Sequence, residues 1–109
     1  MRFPPSFLET IAAVDGESGK IWLADLEGLT TDLMNRWDLS LVTPLPDMTF
    51  NFVAFAETGN PREKVVLKAS PPDRPIWNEV RWLKHYRSVA PALLEFDELA
   101  NAFLMRRCS

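Results

Sequence analysis

The chain of 109 residues has one cysteine, one histidine, four glycines and no excess of basic charge. Each shortage excludes something. A lone Cys108 cannot close an internal disulfide, so a small secreted fold stapled by bridges is untenable and a reducing, cytoplasmic setting is expected. Cys108 and His85 together fall short of the usual zinc ligand sets, and no metal site is assigned. A Cys–His catalytic pair would require these two to meet; Cys108 reads instead as an incidental thiol and His85 as a surface histidine. No apolar run approaches the ~18–20 residues of a membrane span. The opening Met1-Arg2-Phe3-Pro4-Pro5-Ser6 lacks the apolar stretch and small-residue cleavage site of a secretory signal. With 15 acidic against 12 basic residues, net −3, there is no basic field to attract a nucleic-acid backbone.

The composition is globular, 47% hydrophobic and 25% charged, which argues for one domain over residues 1–109 with a real core. Residues 1–19 read as a packed arm with a short helical turn near 6–13, because two prolines and the Asp15-Gly16 and Ser18-Gly19 pairs mark turns. Over residues 20–36, Trp22, Leu26, Leu29, Leu33 and Trp37 recur at steps of four, three, four and four, which draws one apolar stripe down a helix. Ser18 is a candidate cap for its start.

From residue 38 the period changes. Leu39, Leu41 and Val42 precede Pro44 and Pro46, as suits an edge strand running into a turn. Residues 50–55 and 64–69 read as two strands of a hairpin around a Glu57-Thr58-Gly59-Asn60-Pro61 turn, with Phe50 and Phe52 on one face. After Ser70-Pro71-Pro72-Asp73-Arg74-Pro75, where Asp73 and Pro75 suggest a helix start, residues 76–87 carry Ile76, Val80 and Leu83 on one stripe. Pro91 stops any continuation of that helix, and residues 92–96 and 102–105 form a last pair of short strands. The expected architecture is α+β: a five-stranded antiparallel sheet with two main helices on one side.

Gly16-Glu17-Ser18-Gly19-Lys20 has the look of a phosphate loop but fails on spacing. Two residues separate its glycines where four are needed, and Ile21 comes after the lysine. Lys68 ends the apolar run Val65-Val66-Leu67. It is either a solvent-facing lysine or a fixed cation aimed at an anion such as a nucleotide phosphate. Glu79, at the margin of the second helix's stripe, is a candidate partner for Lys68; its alternative is a solvated carboxylate paired locally with Arg81 or Lys84. The turn Asp47-Met48-Thr49-Phe50-Asn51 offers hydroxyl, amide and backbone donors, but on its own it is an ordinary polar turn. Trp22, Trp37, Trp77 and Trp82, at helical spacing among leucines, read as core.

Taken together, these pieces resemble a kinase-type amino-terminal lobe, and more narrowly that of the aminoglycoside phosphotransferase family, in its streptomycin 6-kinase and hydroxyurea phosphotransferase group. Gly16-Glu17-Ser18-Gly19-Lys20-Ile21-Trp22-Leu23 is similar to the family's opening helix, and Arg36-Trp37-Asp38-Leu39 to its helix-to-strand junction. Thr49-Phe50-Asn51-Phe52-Val53-Ala54 resembles the loop between the first two strands, and Val65-Val66-Leu67-Lys68 the third-strand lysine pattern. Asn78-Glu79-Val80-Arg81-Trp82-Leu83 resembles the helix that bears the partner glutamate. Ala92-Leu93-Leu94-Glu95 and Phe103-Leu104-Met105-Arg106-Arg107-Cys108 resemble the last two strands.

The resemblance implies roles. Lys68 would hold the α- and β-phosphates of ATP, Glu79 would orient Lys68, and Thr49 and Asn51 would lie over the phosphates, with Mg²⁺ as the accompanying ion. Arg107 would belong to the hinge that touches adenine through its backbone, although Arg106 stands where the family commonly has an acidic residue. No His-Gly-Asp or Asp-Phe-Gly stretch occurs, so no catalytic residue is assigned. The expectation is a free-standing, truncated lobe, inactive alone and self-associating as a homodimer. The alternatives are a nucleotide-binding half completed by a second chain, and a non-enzymatic α+β interaction module.

Overall fold

A computed structural model describes residues 3–45, 51–59, 61–74, 76–86, 88 and 92–107, with Trp77 described in its backbone only. The first element, α1, is a helix over Pro5–Arg36. Proline at the first helical position loses no hydrogen bond, because the first N–H groups of a helix have no partner inside it. The expected arm over residues 1–19 is therefore helical from Pro5 onward, and the expected turn contracts to Gly16. Gly16 sits at φ 59°, ψ −136°, a conformation open in practice only to glycine, and it splits α1 into two segments. Gly19 is needed for space instead, since a Cβ there would lie 2.6 Å from Asp15 Cβ and 2.8 Å from the Ile11 carbonyl oxygen. Ser18 is already inside the second segment and caps nothing; its hydroxyl lies 3.0 Å from the Asp15 carbonyl oxygen and 2.5 Å from Asp73 Oδ2.

After α1 come β1 (Leu39–Pro44), β2 (Phe52–Thr58), β3 (Glu63–Ala69), α2 (Trp77–His85), β4 (Leu93–Asp97) and β5 (Ala102–Arg106). All neighbouring strands are antiparallel, in the order β1-β2-β3-β5-β4. β1 is an edge strand, as its proline requires. β2 runs three residues past the expected end at Phe55, because Glu57 and Thr58 still pair with Lys64 and Glu63, and the chain reverses at Gly59 with φ 81°. The expected facing of Phe50 and Phe52 falls partly outside the described residues.

The helices lie on opposite faces of the sheet, contrary to the one-sided arrangement expected. Side chains alternate along a strand, so Val65, Leu67 and Ala69 point one way and Val66 and Lys68 the other. The first set joins Phe52, Ala54, Ala56, Ala102 and Leu104 in a core with Phe7, Ile11, Trp22, Leu26 and Leu33 of α1. Phe103, on the second face, packs with Ile76, Val80 and Leu83 of α2. Val65, Val66 and Leu67 are consecutively buried, the signature of a strand covered on both sides.

The amino end of α2 has no side-chain cap of its own at Ile76, and its start lies beyond the Asp73–Pro75 position expected. The cap is supplied from the β4–β5 turn. Asn101, buried and at φ 54°, accepts the Ile76 N–H at 2.7 Å. Its amide donates to the carbonyls of Ser70, Pro71 and Arg74. A positive φ is tolerated by asparagine better than by most side chains, which suits it to this turn.

Candidate functional site: the Lys68–Glu79 pair

Lys68 is near the end of the central strand β3, with Val53 of β2 and Phe103 of β5 as its cross-strand neighbours. Alternation turns it toward α2. There its Nζ lies 2.8 Å from Glu79 Oε1 and 2.9 Å from Oε2, so the ammonium straddles the carboxylate. Glu79 stands in the first turn of α2, where a carboxylate also meets the positive end of the helix. The side chains are 19% and 39% exposed, so the pair sits at the border between core and solvent. A pair this exposed contributes only ~0–1 kcal/mol to stability. An ammonium has three N–H groups, and two contacts to Glu79 leave one for a further acceptor.

Asn51 lies just before Phe52, which pairs with Ala69, so it is at the same end of the sheet as Lys68. Its Oδ1 accepts from the buried Ser70 hydroxyl and, at 3.3 Å, from Arg74 Nη1. Arg74 also grips Asp15 of α1 with two parallel hydrogen bonds of 2.9 Å, Nε to Oδ1 and Nη2 to Oδ2. The β3–α2 loop that separates Lys68 from Glu79 is thus held from three sides, by Asp15 of α1, by Asn51 just ahead of β2 and by Asn101.

Arg107 is at the other end of β3. Its N–H donates to the Lys64 carbonyl at 3.0 Å, and its guanidinium lies 3.8 Å from the centre of the Phe55 ring. Four residues of strand separate Lys64 from Lys68, roughly 13 Å. A cavity of about 280 Å³ beside it is lined by Leu41, Thr43, Phe55 and Lys64 among others. Arg106 forms an ion pair with Glu63. Thr49 and Cys108 lie outside the described residues. The structure therefore brings Lys68, Glu79 and Asn51 to one end of the sheet and leaves Arg107 at the other.

Three residues of this arrangement escape sequence reasoning: Asp15, Arg74 and Asn101. Asp15 and Arg74 are 59 positions apart, and no local pattern links them. Asn101 has a partial signal, since asparagine in a short turn between strands is a candidate for positive φ. Beside it, Asp97 accepts the Ala100 N–H at 3.0 Å and pairs with Arg36 Nη2 at 2.6 Å. The Ala100 N–H, followed by Arg36, holds the Asp97 carboxyl below its usual range.

Among the described residues no three of His, Cys, Asp and Glu group as a metal site, and no helix is long and apolar enough to cross a membrane. The chain is 33% identical over 92 aligned residues to Protein FAM234B of Gallus gallus, an alignment that covers 72% of this chain and 15% of that protein. The chain thus corresponds to a small part of the length of this relative. No protein-family model matches the sequence. No solved structure matches it either.

Proposed function

We propose that the chain is the nucleotide-binding amino-terminal lobe of a kinase-like phosphotransferase, of the kind found in the streptomycin 6-kinase and hydroxyurea phosphotransferase group. The observation that supports this reading is the Lys68–Glu79 pair, which joins the central strand to a helix at a half-exposed border. Lys68 donates to oxygens of the α- and β-phosphates of ATP. Glu79 holds the ammonium in place, which lowers the entropy lost when the phosphate arrives. The Arg74–Asp15 clamp and Asn101 are positioning groups that keep β3 and α2 at a fixed separation. The acidic residues that bind Mg²⁺ and receive the acceptor proton belong, in this reading, to a second lobe. The 109 residues alone bind nucleotide weakly and transfer no phosphate. In this reading the chain works in the cytoplasm, where ATP is abundant.

The test is titration calorimetry with MgATP on the wild-type chain, Lys68→Ala and Glu79→Gln. Binding that disappears in Lys68→Ala and weakens in Glu79→Gln is the expected result. Equal affinity in wild type and Lys68→Ala, or no heat in either, overturns the reading.

A further inference from the structure

We infer that the half-open face beside β1 carries a second binding site, for a small aromatic carboxylate held by Arg107 and Lys64. The strand register builds it. Lys64 is opposite Glu57 of β2, and its carbonyl accepts the Arg107 N–H, so the three residues form one row across the sheet. Phe55 is two residues from Glu57 on the same face. The Arg107 guanidinium rests 3.8 Å from the centre of its ring. Among the described residues, neither this guanidinium nor the Lys64 ammonium makes a hydrogen bond or an ion pair. Two cations against the single carboxylate of Glu57 leave the cavity they share positive, in a chain of net charge −3. A guanidinium already held in place, with its fork of N–H groups unused, is a ready acceptor site for a carboxylate.

The apolar half of the ligand follows from Leu41. Between the pairs Ser40–Glu57 and Thr43–Phe55, two residues of β1 stand against Ala56 alone, which makes a bulge. Leu41 takes φ 55° there, a conformation that suits glycine and strains a bulky side chain. The Thr43 hydroxyl donates to the Leu41 carbonyl at 3.2 Å and closes the bulge. The strained side chain is 69% exposed, so it adds little to the core, and it lines the same cavity as the two cations. Backbone strain without a packing return is characteristic of ligand sites. At about 280 Å³ the cavity is near the small end of ligand cavities, roughly 300–1,000 Å³, which suits one ring and one carboxylate. With one face of Phe55 taken by the guanidinium, the ligand ring meets its edge, an arrangement that aromatic pairs favour. The site is at the Lys64 end of β3, away from the Lys68–Glu79 pair, and the inference is independent of the nucleotide reading.

The experiment is an amide NMR titration of the chain with benzoate, with its neutral isostere benzamide and with inorganic phosphate, at matched ionic strength. Benzoate is expected to shift the amides of residues 41–43, 55–57, 64 and 107 and to saturate with a dissociation constant of about 1 mM or lower. Benzamide lacks the charge and phosphate lacks the ring, so each binds at least about tenfold more weakly. Arg107→Ala weakens benzoate by a similar factor, and Glu57→Gln tightens it about two- to fivefold by removing the opposing charge. Leu41→Gly separates binding from structure. It melts no lower than the wild type, because glycine relieves the strain, yet binds benzoate at least about threefold more weakly. Benzoate leaving these amides unmoved at about 10 mM overturns the inference. So does benzamide or phosphate binding as tightly as benzoate, or Arg107→Ala or Leu41→Gly binding it as tightly as the wild type. A Leu41→Gly chain that melts well below the wild type overturns it too, since Leu41 would then serve the fold.

Discussion

Leu67 and Lys68 are neighbours in the chain on opposite faces of β3, and the two faces have little in common. On the Leu67 side, α1 lays Phe7, Ile11, Leu26 and Leu33 in a core shared with β1, β2, β3 and β5, and all four are at most 1% exposed. On the Lys68 side, α2 covers the β5–β4 end through Ile76, Val80 and Leu83. Phe55, toward the other edge, is only half-buried beneath the Arg107 guanidinium. One face is a closed apolar interior in which cohesion is uniform. The other is half open, and its contacts are charged and adjustable. A ligand needs the second kind of surface, and the first holds that surface still.

That contrast can be broken at chosen points. The largest effect is expected at Leu67→Ala, which opens a cavity under α1 and costs ~2–5 kcal/mol in urea unfolding. The folded fraction should keep its MgATP affinity, because the Lys68–Glu79 pair is on the other side of the strand. Loss of nucleotide binding in that fraction would mean the two faces are coupled. Asn101→Ala comes next at about 1–3 kcal/mol, since it strands the buried Ile76 N–H and the loop carbonyls that the amide serves. Faster hydrogen exchange over α2 than over α1 is the signature to look for.

A smaller effect concerns acid. Asp97 has a folded-state pKa below its ordinary value, so its contribution to stability is fully present above the ordinary carboxylate pKa and is lost as pH falls through the lower, folded one. Asp97→Asn should therefore be less stable than wild type at neutral pH, and the two should converge under acid conditions. Parallel pH–stability curves would show that Asp97 does not titrate differently on folding. Smallest in stability is Lys68→Ala, about 0–1 kcal/mol, even though it is expected to abolish nucleotide binding. A large drop in its melting temperature would make the pair a structural element first.

Much of this is readable in the chain. The 3.6-residue recurrence of Trp22, Leu26 and Leu33, and of Ile76, Val80 and Leu83, marks both helix faces that are buried. The alternation and turn residues mark the five strands, and position alone makes Glu79 a candidate partner for Lys68. The failures are of two kinds. Gly16 and Gly19 read as a turn because both are poor helix residues, yet Gly16 breaks α1 at one peptide and Gly19 lets the next turn pack tightly on Ile11 and Asp15. The opposite placement of the helices also differs from expectation, though Val65-Val66-Leu67 holds the clue: three consecutive apolar residues in a strand need cover on both sides. Nothing local could reveal Arg74 meeting Asp15 or Asn101 meeting Ile76, because those contacts are properties of the assembled topology.

The Asn101 contact has a consequence in time. The helix that bears Glu79 borrows its amino-terminal cap from a residue 25 positions further along the chain. During synthesis α2 therefore emerges before the group that secures it, and waits on the turn into β5. Pulse-labelled hydrogen exchange during refolding should show the amides of residues 77–85 gaining protection together with those of 102–106, and not ahead of them. The ribosome delivers these segments one after the other, yet they can settle only together.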